Sequence, residues 1–236
     1  MHAIFKKELK SYFYSPIAYV LIGLFLLVGS ILFFVFLASG YADTRWIFMN
    51  GIFILVLMIF TSVLTMRILA EDRKNGSEVL LLTSPVNIVS IVVGKYLATL
   101  VVFLIMTAIT FVYPLITFAF DAQFTAEIVG GYIGFILLGA SFLSVGVFAS
   151  SLTENQVVAV ITSFVMMLIM WIISGVSGYF GGTIAKVLNW ISLLSRYDDF
   201  NRGILNIGSV VYYLSFIFVM LFLTVRVIEK RRWSQG

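Results

Sequence analysis

Long apolar stretches that carry no charged residue, separated by short polar segments, make up most of this chain. Six stretches lack Asp, Glu, Lys and Arg: residues 11–42, 46–66, 96–120, 128–153, 155–185 and 203–225. The shortest has 21 residues, and a helix needs about 20 mostly apolar residues to cross a hydrocarbon core of about 30 Å. Strands of a membrane barrel would alternate polar and apolar residues, whereas residues 53–60 are apolar at every position. The pattern predicts an all-α polytopic membrane protein with six transmembrane helices.

Turn-forming and capping residues set the predicted ends of these helices. They cover approximately residues 17–39, 46–72, 87–120, 127–151, 154–174 and 208–227. Asn87 is a suitable N-cap for the third helix, and Pro114 is expected to kink that helix because proline has no N–H to donate. Thr153 and Gln156 have the spacing of a capping box at the start of the fifth helix. No repeat with a period of about 20–50 residues is present, so we expect one transmembrane domain over residues 1–236.

Two further segments are amphipathic rather than uniformly apolar. In MHAIFKKELKSYFY, residues 1–14, apolar residues recur at helical spacing and lysines occupy the other face. This predicts an N-terminal helix in the membrane interface, and a basic flank without a helix is the alternative. Residues 175–202 combine four glycines, an apolar part and a charged group. We interpret them as a re-entrant external segment between helices 5 and 6, with its backbone buried against protein.

The fourth predicted helix is rich in small residues. Gly130 and Gly134 have GxxxG spacing, and Gly139, Ser144 and Gly146 extend the small-residue pattern. Small residues allow helices in lipid to approach one another closely. The pattern fits packing within the chain and also fits a seam between two copies, and both interpretations stay open at this point.

Composition and charge distribution narrow the functional class. The chain is 61% hydrophobic and 11% charged, whereas soluble domains have roughly 25% charged residues. If both termini are cytoplasmic, eleven Lys and Arg residues face the cytoplasm, and only Arg45, Lys186, Arg196 and Arg202 lie outside. This asymmetry follows the positive-inside rule. The net charge of +4 therefore reflects topology, and we expect no nucleic-acid partner.

The apolar stretches hold none of the side chains that membrane chemistry usually requires. Ion-coupled transporters and proton pumps keep ionisable residues within the membrane, and the six stretches contain no Asp, Glu, Lys or Arg. The chain has no cysteine, its only histidine is His2, and no HExxH motif or GxxxxGK[ST] phosphate loop occurs. We therefore expect no catalytic residue, no metal site and no cofactor in this chain. If the protein moves a substrate uphill, the energy must then come from another chain.

Residues 67–87, RILAEDRKNGSEVLLLTSPVN, concentrate six charges in 21 positions. The second helix can continue to Lys74, where positive charge suits the C-terminal end of the helix dipole, and Asn75-Gly76 is a typical left-handed stop. Ser77 is a suitable N-cap for a short apolar helix over about 77–83, which must end before Pro85. The leucines of this helix fit either a socket on a cytoplasmic partner or the membrane surface. The residues alone leave both alternatives open.

The same stretch resembles a known family. The spacing Glu71-x4-Gly76-x-Glu78-x3-Leu82-x2-Pro85, followed by GKYLA at 94–98, closely resembles the first cytoplasmic loop of ABC-2 type permeases. FKKELKSYFYSPIAYV at 5–20 and SRYDDFNRGIL at 195–205 are similar to the branch that includes the gliding-motility permease subunit and its clostridial relatives. The resemblance extends over the whole chain.

The resemblance implies a permease subunit of an ABC transporter, a multi-pass protein of the bacterial cytoplasmic (inner) membrane. In this family two permease subunits, identical or homologous, pair, and each docks a coupling helix on a separate ATPase subunit that holds ATP and Mg. Carried over, the coupling helix is 77–84, and its contact residues are Glu71, Gly76, Ser77, Glu78, Leu81, Leu82 and Pro85. A second cytoplasmic contact is implied at Glu154, Asn155 and Gln156. An external gate is implied at Arg196, Asp198, Asp199 and Arg202.

The leading hypothesis is therefore an exporter permease that is not itself an enzyme and is driven by ATP hydrolysis on its partner. The alternative is a membrane anchor or scaffold that recruits a cytoplasmic partner through the same loop without transporting a substrate. An intramembrane enzyme is disfavoured because the catalytic groups are missing. No residue pattern marks a substrate pocket.

Overall fold

The computed structural model describes residues 1–40, 45–77, 87–120, 126–176 and 192–234, without the side chains of 45, 46 and 232–234. All regular elements in these ranges are α-helices. In chain order they are α1 (His2–Tyr14), α2 (Pro16–Ala38), α3 (Arg45–Met49), α4 (Gly51–Thr65), α5 (Arg67–Lys74), α6 (Ile88–Thr110), α7 (Val112–Ala119), α8 (Ala126–Leu152), α9 (Gln156–Val176), α10 (Leu193–Asn201) and α11 (Ile207–Ser234).

Six helical stretches of the described residues are long and apolar enough to span a membrane. They are α2, α4 with α5, α6 with α7, α8, α9 and α11. Each corresponds to one of the charge-free stretches of the sequence, because an uninterrupted apolar run of this length satisfies its backbone hydrogen bonds only as a helix. The predicted all-α polytopic fold is confirmed.

Helix α8 is the centre of the bundle. Of its most apolar window, 78% of the residues are buried within the chain, against 11% for α2 and 17% for α9. Phe135 of α8 packs against Phe25, Phe48, Phe53 and Phe103, with ring centroids 5.1–6.2 Å apart. Offset aromatic contacts of this kind add to the energy of burial. The aromatic core therefore ties α8 to α2, α3, α4 and α6.

The small residues of α8 serve packing within the chain. A Cβ on Gly134 would lie 2.7 Å from Cβ of Phe200 in α10, and a Cβ on Gly130 would collide with the carbonyl oxygen of the same residue. A Cβ on Gly139 would overlap the ring of Phe103 in α6. The GxxxG pair is thus buried by α10 of the same chain, and the alternative of a dimer seam at these glycines is wrong.

Pro114 interrupts the third span as predicted, and α6 ends one turn earlier, at Thr110. Proline has no N–H for the carbonyl of the residue four positions before it, and its ring displaces that carbonyl. Here that carbonyl belongs to Thr110, and the hydroxyl of Tyr132 in α8 donates a hydrogen bond to it at 2.8 Å. The kink is therefore compensated by a side chain from the central helix.

The second span departs from its prediction as one helix over 46–72. It is interrupted at Asn50 and again at Met66. The Asn50 carboxamide oxygen accepts a hydrogen bond from the N–H of Ile52 at 2.9 Å and caps α4, because asparagine satisfies a free N–H at a helix start. The last span extends beyond its predicted end at 227 and continues to Ser234.

The chain has two opposite ends. Helix α1 packs against α2 and the start of α6, and the C-terminal part of α11 contacts the end of α8, so both termini lie at one end, called the terminal face below. The starts of α4, α8 and α11 and the helix α10 lie at the other end, called the distal face. The N-terminal segment is helical, which excludes the unstructured flank. Of the predicted re-entrant segment, 177–191 lie outside the described residues.

Candidate functional site

Residues 67–77, called the neck below, extend the second span beyond its apolar part at the terminal face. Helix α5 ends at Lys74, and Gly76 has φ +69°, the left-handed conformation that glycine adopts without strain. The hydroxyl of Ser77 donates to the backbone carbonyl and the carboxylate of Asp72, at 3.1 Å to each. The predicted stop at Asn75-Gly76 is confirmed. Ser77 folds back onto the helix that precedes it.

A buried lysine cluster, Lys95 with Glu8 and Asp72, joins the neck to two other helices. The Nζ atom of Lys95 in α6 lies 2.6 Å from Oε1 of Glu8 in α1 and 2.7 Å from Oδ2 of Asp72. It also donates to the carbonyl of Ile68 at 2.8 Å. Lys95 is only 2% exposed, and an ammonium has three N–H donors. The Nζ atom thus donates hydrogen bonds to the Glu8 carboxylate and the Ile68 carbonyl, and the Asp72 carboxylate adds an ion pair. A buried charge requires such partners.

The side chain of Ser150 in α8 forms hydrogen bonds with backbone groups of the second span, at the break between α4 and α5. Its hydroxyl oxygen accepts from the N–H groups of Leu69 at 3.2 Å and Ala70 at 3.1 Å. The same hydroxyl donates to the carbonyl of Met66 at 3.1 Å. A side chain inserted into the helical hydrogen-bond ladder is a recognised cause of a kink. Ser150 therefore both permits the break between α4 and α5 and holds it against the central helix.

Helix α1 is held to the second span, next to the neck, by Tyr12. Its buried hydroxyl donates to the carbonyl of Leu64 at 2.7 Å, and burial raises the pKa of this hydroxyl above its ordinary value. The guanidinium carbon of Arg67 lies 4.6 Å from the centroid of the Tyr12 ring, and Arg67 donates to the carbonyl of Ser11 at 3.3 Å. The amphipathic helix is thus fastened to the second span at Leu64 in α4 and at Arg67, the first residue of the neck.

The turn between α8 and α9 reaches the neck from the other side. Arg73 forms an ion pair with Glu154 at 2.6 Å. Lys74 of the neck and residues 154–157 line a groove of about 340 Å³ between neck and turn. Helix α9 begins at Gln156 and is capped by the Asn155 carboxamide, which accepts from the N–H of Val157 at 2.9 Å. The prediction that Thr153 caps this helix is wrong, because its hydroxyl instead accepts from the N–H of Asn155 at 3.1 Å.

The remaining site residues predicted at the terminal face are described only in part. Glu71 lies half-buried on α5, and its carbonyl accepts from the N–H of Asn75 at 3.0 Å. Glu78, Leu81, Leu82 and Pro85 lie outside the described residues. No group of three His, Cys, Asp or Glu side chains within the described ranges is placed to hold a metal ion.

The charged group at the distal face lies on α10 and just after it. Arg196 packs over the ring of Tyr212, with 4.2 Å from the guanidinium carbon to the ring centroid. The N–H of Arg202 ends α10 by donating to the carbonyls of Asp198 and Asp199. Among the described side chains, no ion pair joins these four residues. The four residues lie together at one face of the bundle, as expected from the sequence. Their role as an external gate stays a prediction.

Sequence reasoning missed the roles of Glu8, Lys95 and Ser150. From the sequence, Lys95 is treated only as a basic residue and as part of the GKYLA match. A lone cation at the eighth position of an apolar helix, however, already indicates a buried ion pair. An isolated charge at such a position needs a partner. Ser150 carries no comparable signal, because serines are frequent in closely packed membrane helices.

Comparisons with known proteins agree with this architecture. A family model described as "ABC-2 family transporter protein" matches residues 4–229. The chain is also similar to two curated proteins described as "Probable multidrug ABC transporter permease YbhR", from Escherichia coli strains K12 and O157:H7. It is 26% identical to each over 164 residues, which cover 69% of this chain and 44% of each relative. It thus spans less than half the length of these relatives. Since the family match extends over almost all six spans, the chain belongs to the ABC-2 family of transporter proteins.

Proposed function

We propose that this chain is the permease subunit of an ABC exporter and receives force from a separate ATPase subunit that docks at residues 77–84. In this proposal the terminal face is cytoplasmic, as the surplus of Lys and Arg there favours. A second permease subunit completes the transport path. ATP and Mg are held by the ATPase.

The observation that carries the proposal is the buried lysine cluster at the base of the neck. Ser77, the first residue of the proposed docking segment, is hydrogen-bonded to Asp72, and Asp72 is paired with Lys95. Lys95 is in turn paired with Glu8 in α1. A displacement of residues 77–84 is therefore transmitted to α1 and α6 through short polar contacts, since these contacts are costly to break once they are removed from water.

Ser150 extends the same path to the central helix. Its hydroxyl bonds two backbone N–H groups of the neck and the carbonyl of Met66 just before it, so the neck cannot tilt without either moving α8 or losing these bonds. Packed helices respond to a local push by shifting between discrete arrangements rather than by deforming continuously. An ATPase that binds one arrangement of the neck more tightly would shift the population of the whole bundle.

The Arg73–Glu154 pair supports a second contact with the ATPase at residues 154–156. Glu154 is more than half exposed, so the energy of its pair with Arg73 is small. The Arg73–Glu154 pair matters because it holds the turn between α8 and α9 beside the neck. One partner surface can then touch both the end of the neck and this turn.

The test is co-purification of the ATPase with the affinity-tagged chain after expression of both in one membrane. The double variant Glu78→Arg/Leu81→Asp should lose the ATPase while the chain itself stays in the membrane, because a reversed charge and a buried carboxylate oppose docking. Glu229→Arg is the matched control, since Glu229 pairs only with the exposed Arg226 in the described residues. Equal recovery of the ATPase with the double variant and the control would refute docking at 77–84.

A further inference from the structure

A groove at the distal face runs along α11 and is headed by Arg196. It has a volume of about 550 Å³ and is lined by Arg196, Gly208, Val211, Tyr212, Ser215, Phe216 and Val219. Pockets for small ligands are typically about 300–1,000 Å³. Val211 and Val219 are at least half exposed, so the groove opens toward the outside of the bundle, where a transmembrane helix meets lipid.

The charge of Arg196 is incompletely partnered. Its guanidinium contacts the face of the Tyr212 ring, but its Nε atom is buried and has no hydrogen-bond partner in the described part of the chain. Asp198 and Asp199 lie on the same helix but do not line the groove, and neither forms an ion pair with Arg196 among the side chains that the structure describes. A buried donor without an acceptor is unfavourable. An anionic oxygen at the head of the groove would give the guanidinium a charged partner, and a guanidinium is well suited to bind phosphate oxygens.

The remaining wall of the groove is almost entirely apolar. From Gly208 to Val219 it follows about 16 Å of α11, at 1.5 Å per residue. One leaflet contributes about half of a hydrocarbon core of about 30 Å. The groove therefore has the length of one acyl chain in one leaflet. The hydroxyl of Ser215 adds no unpaired group to this wall, because it donates to the carbonyl of Tyr212 at 2.8 Å.

We propose that this groove binds an anionic phospholipid of the leaflet at the distal face, with the phosphate on Arg196 and one acyl chain along α11. A cation at one end and an apolar wall one leaflet deep match the two parts of such a lipid. A protein occupant would have to supply both an anion for Arg196 and an apolar segment along α11, whereas a phospholipid of the surrounding leaflet carries both in one molecule. The site is independent of the proposed docking segment, whose first residue, Ser77, lies at the opposite end of the bundle.

The test measures lipid retained by the purified, intact chain in detergent, using native mass spectrometry. Phosphatidylglycerol and diacylglycerol, which lacks the phosphate, are added in equal amounts with identical acyl chains. Wild-type chain should retain phosphatidylglycerol preferentially. Arg196→Gln should reduce that preference by about tenfold or more, which is the loss expected for a hydrogen bond to a charged group. Arg202→Gln is the control on the same segment and should keep the preference, because Arg202 does not line the groove.

Two further variants separate the lipid site from a folding defect and from a second copy of the chain. Ser215→Trp fills the groove from its exposed side and should lower the retention of both lipids while the helix content stays unchanged. Val219→Cys introduces the only cysteine of the chain, so it reports directly on a second copy at this position. Efficient disulfide dimers of Val219→Cys, or equal lipid preference in Arg196→Gln and Arg202→Gln, would overturn the proposal.

Discussion

Replacing Lys95 by methionine tests whether the buried lysine cluster holds the neck to the bundle. The substitution keeps a long unbranched side chain but removes the charge that faces Glu8 at 2.6 Å and Asp72 at 2.7 Å. The carbonyl of Ile68 loses its donor as well. Two carboxylates are then left close together without a cation, at the point where α1, the neck and α6 meet.

The loss of stability expected for Lys95→Met follows from the burial of the cluster. Removing one partner of a fully buried ion pair costs about 3–5 kcal/mol. The carboxylates of Glu8 and Asp72 are 17% and 18% exposed, so water relieves part of this cost, and we expect about 3 kcal/mol. The total stability of a folded domain is about 5–15 kcal/mol. For chains of about 150–250 residues, 1 kcal/mol shifts the unfolding midpoint by about 2–4 °C, so Lys95→Met should unfold about 6–12 °C below wild type.

The assay is thermal unfolding of the purified chain in detergent, followed by circular dichroism. Lys74→Met is the control, because Lys74 is an exposed lysine of the same neck and should change stability by less than about 0.5 kcal/mol. Adding Glu8→Gln and Asp72→Asn to Lys95→Met removes the unpaired charges and should recover roughly half of the lost stability. If Lys95→Met unfolds at the same temperature as Lys74→Met, the cluster does not stabilise the junction.

Two further predictions test the packing of the central helix α8. Gly139→Ala should destabilise the chain by about 1–3 kcal/mol because the added methyl group overlaps the ring of Phe103. Gly23→Ala is the control: a methyl group there has no atom within 4 Å, so the variant should be neutral or slightly stabilising. Equal unfolding midpoints for the two variants would contradict the close approach of α8 to Phe103. Ser150→Ala should cost about 1–3 kcal/mol because backbone groups at the break of the second span lose their partner. Ser151→Ala, which loses only a bond to the carbonyl of Phe148 within its own helix, should cost less, and hydrogen exchange in the neck should increase only in Ser150→Ala.

Several features of the fold could be predicted because they depend on short, continuous sequence. The stop at Gly76 needs only a residue that tolerates positive φ after a helix. The interruption before Pro114 follows from one missing N–H. The break at Met66 could not be predicted in this way, because its cause, Ser150, is 84 positions away in the sequence.

The candidate site was likewise predictable only in part. The charges of the neck were evident from the sequence, and so was the helix stop that follows them. Their partners were not, because a charged side chain does not reveal which of several neighbouring helices supplies its counter-ion. Lys95 is paired with Glu8 and Asp72, which precede it by 87 and 23 positions in the sequence. This pairing exists only once α1 and the neck lie side by side.

The order of residues along the chain was enough to establish the class of the protein, the number of its membrane spans and the position of the neck. The length and hydropathy of a segment suffice for these, since every span must cross the same thickness of hydrocarbon and satisfy its own backbone hydrogen bonds. The folded chain was needed to establish that α8 is the central helix, that its GxxxG pair packs against α10, and that Lys95 and Ser150 hold the neck. Those outcomes depend on which helices become neighbours, and helix packing in a bilayer is decided by close contacts between segments distant in sequence.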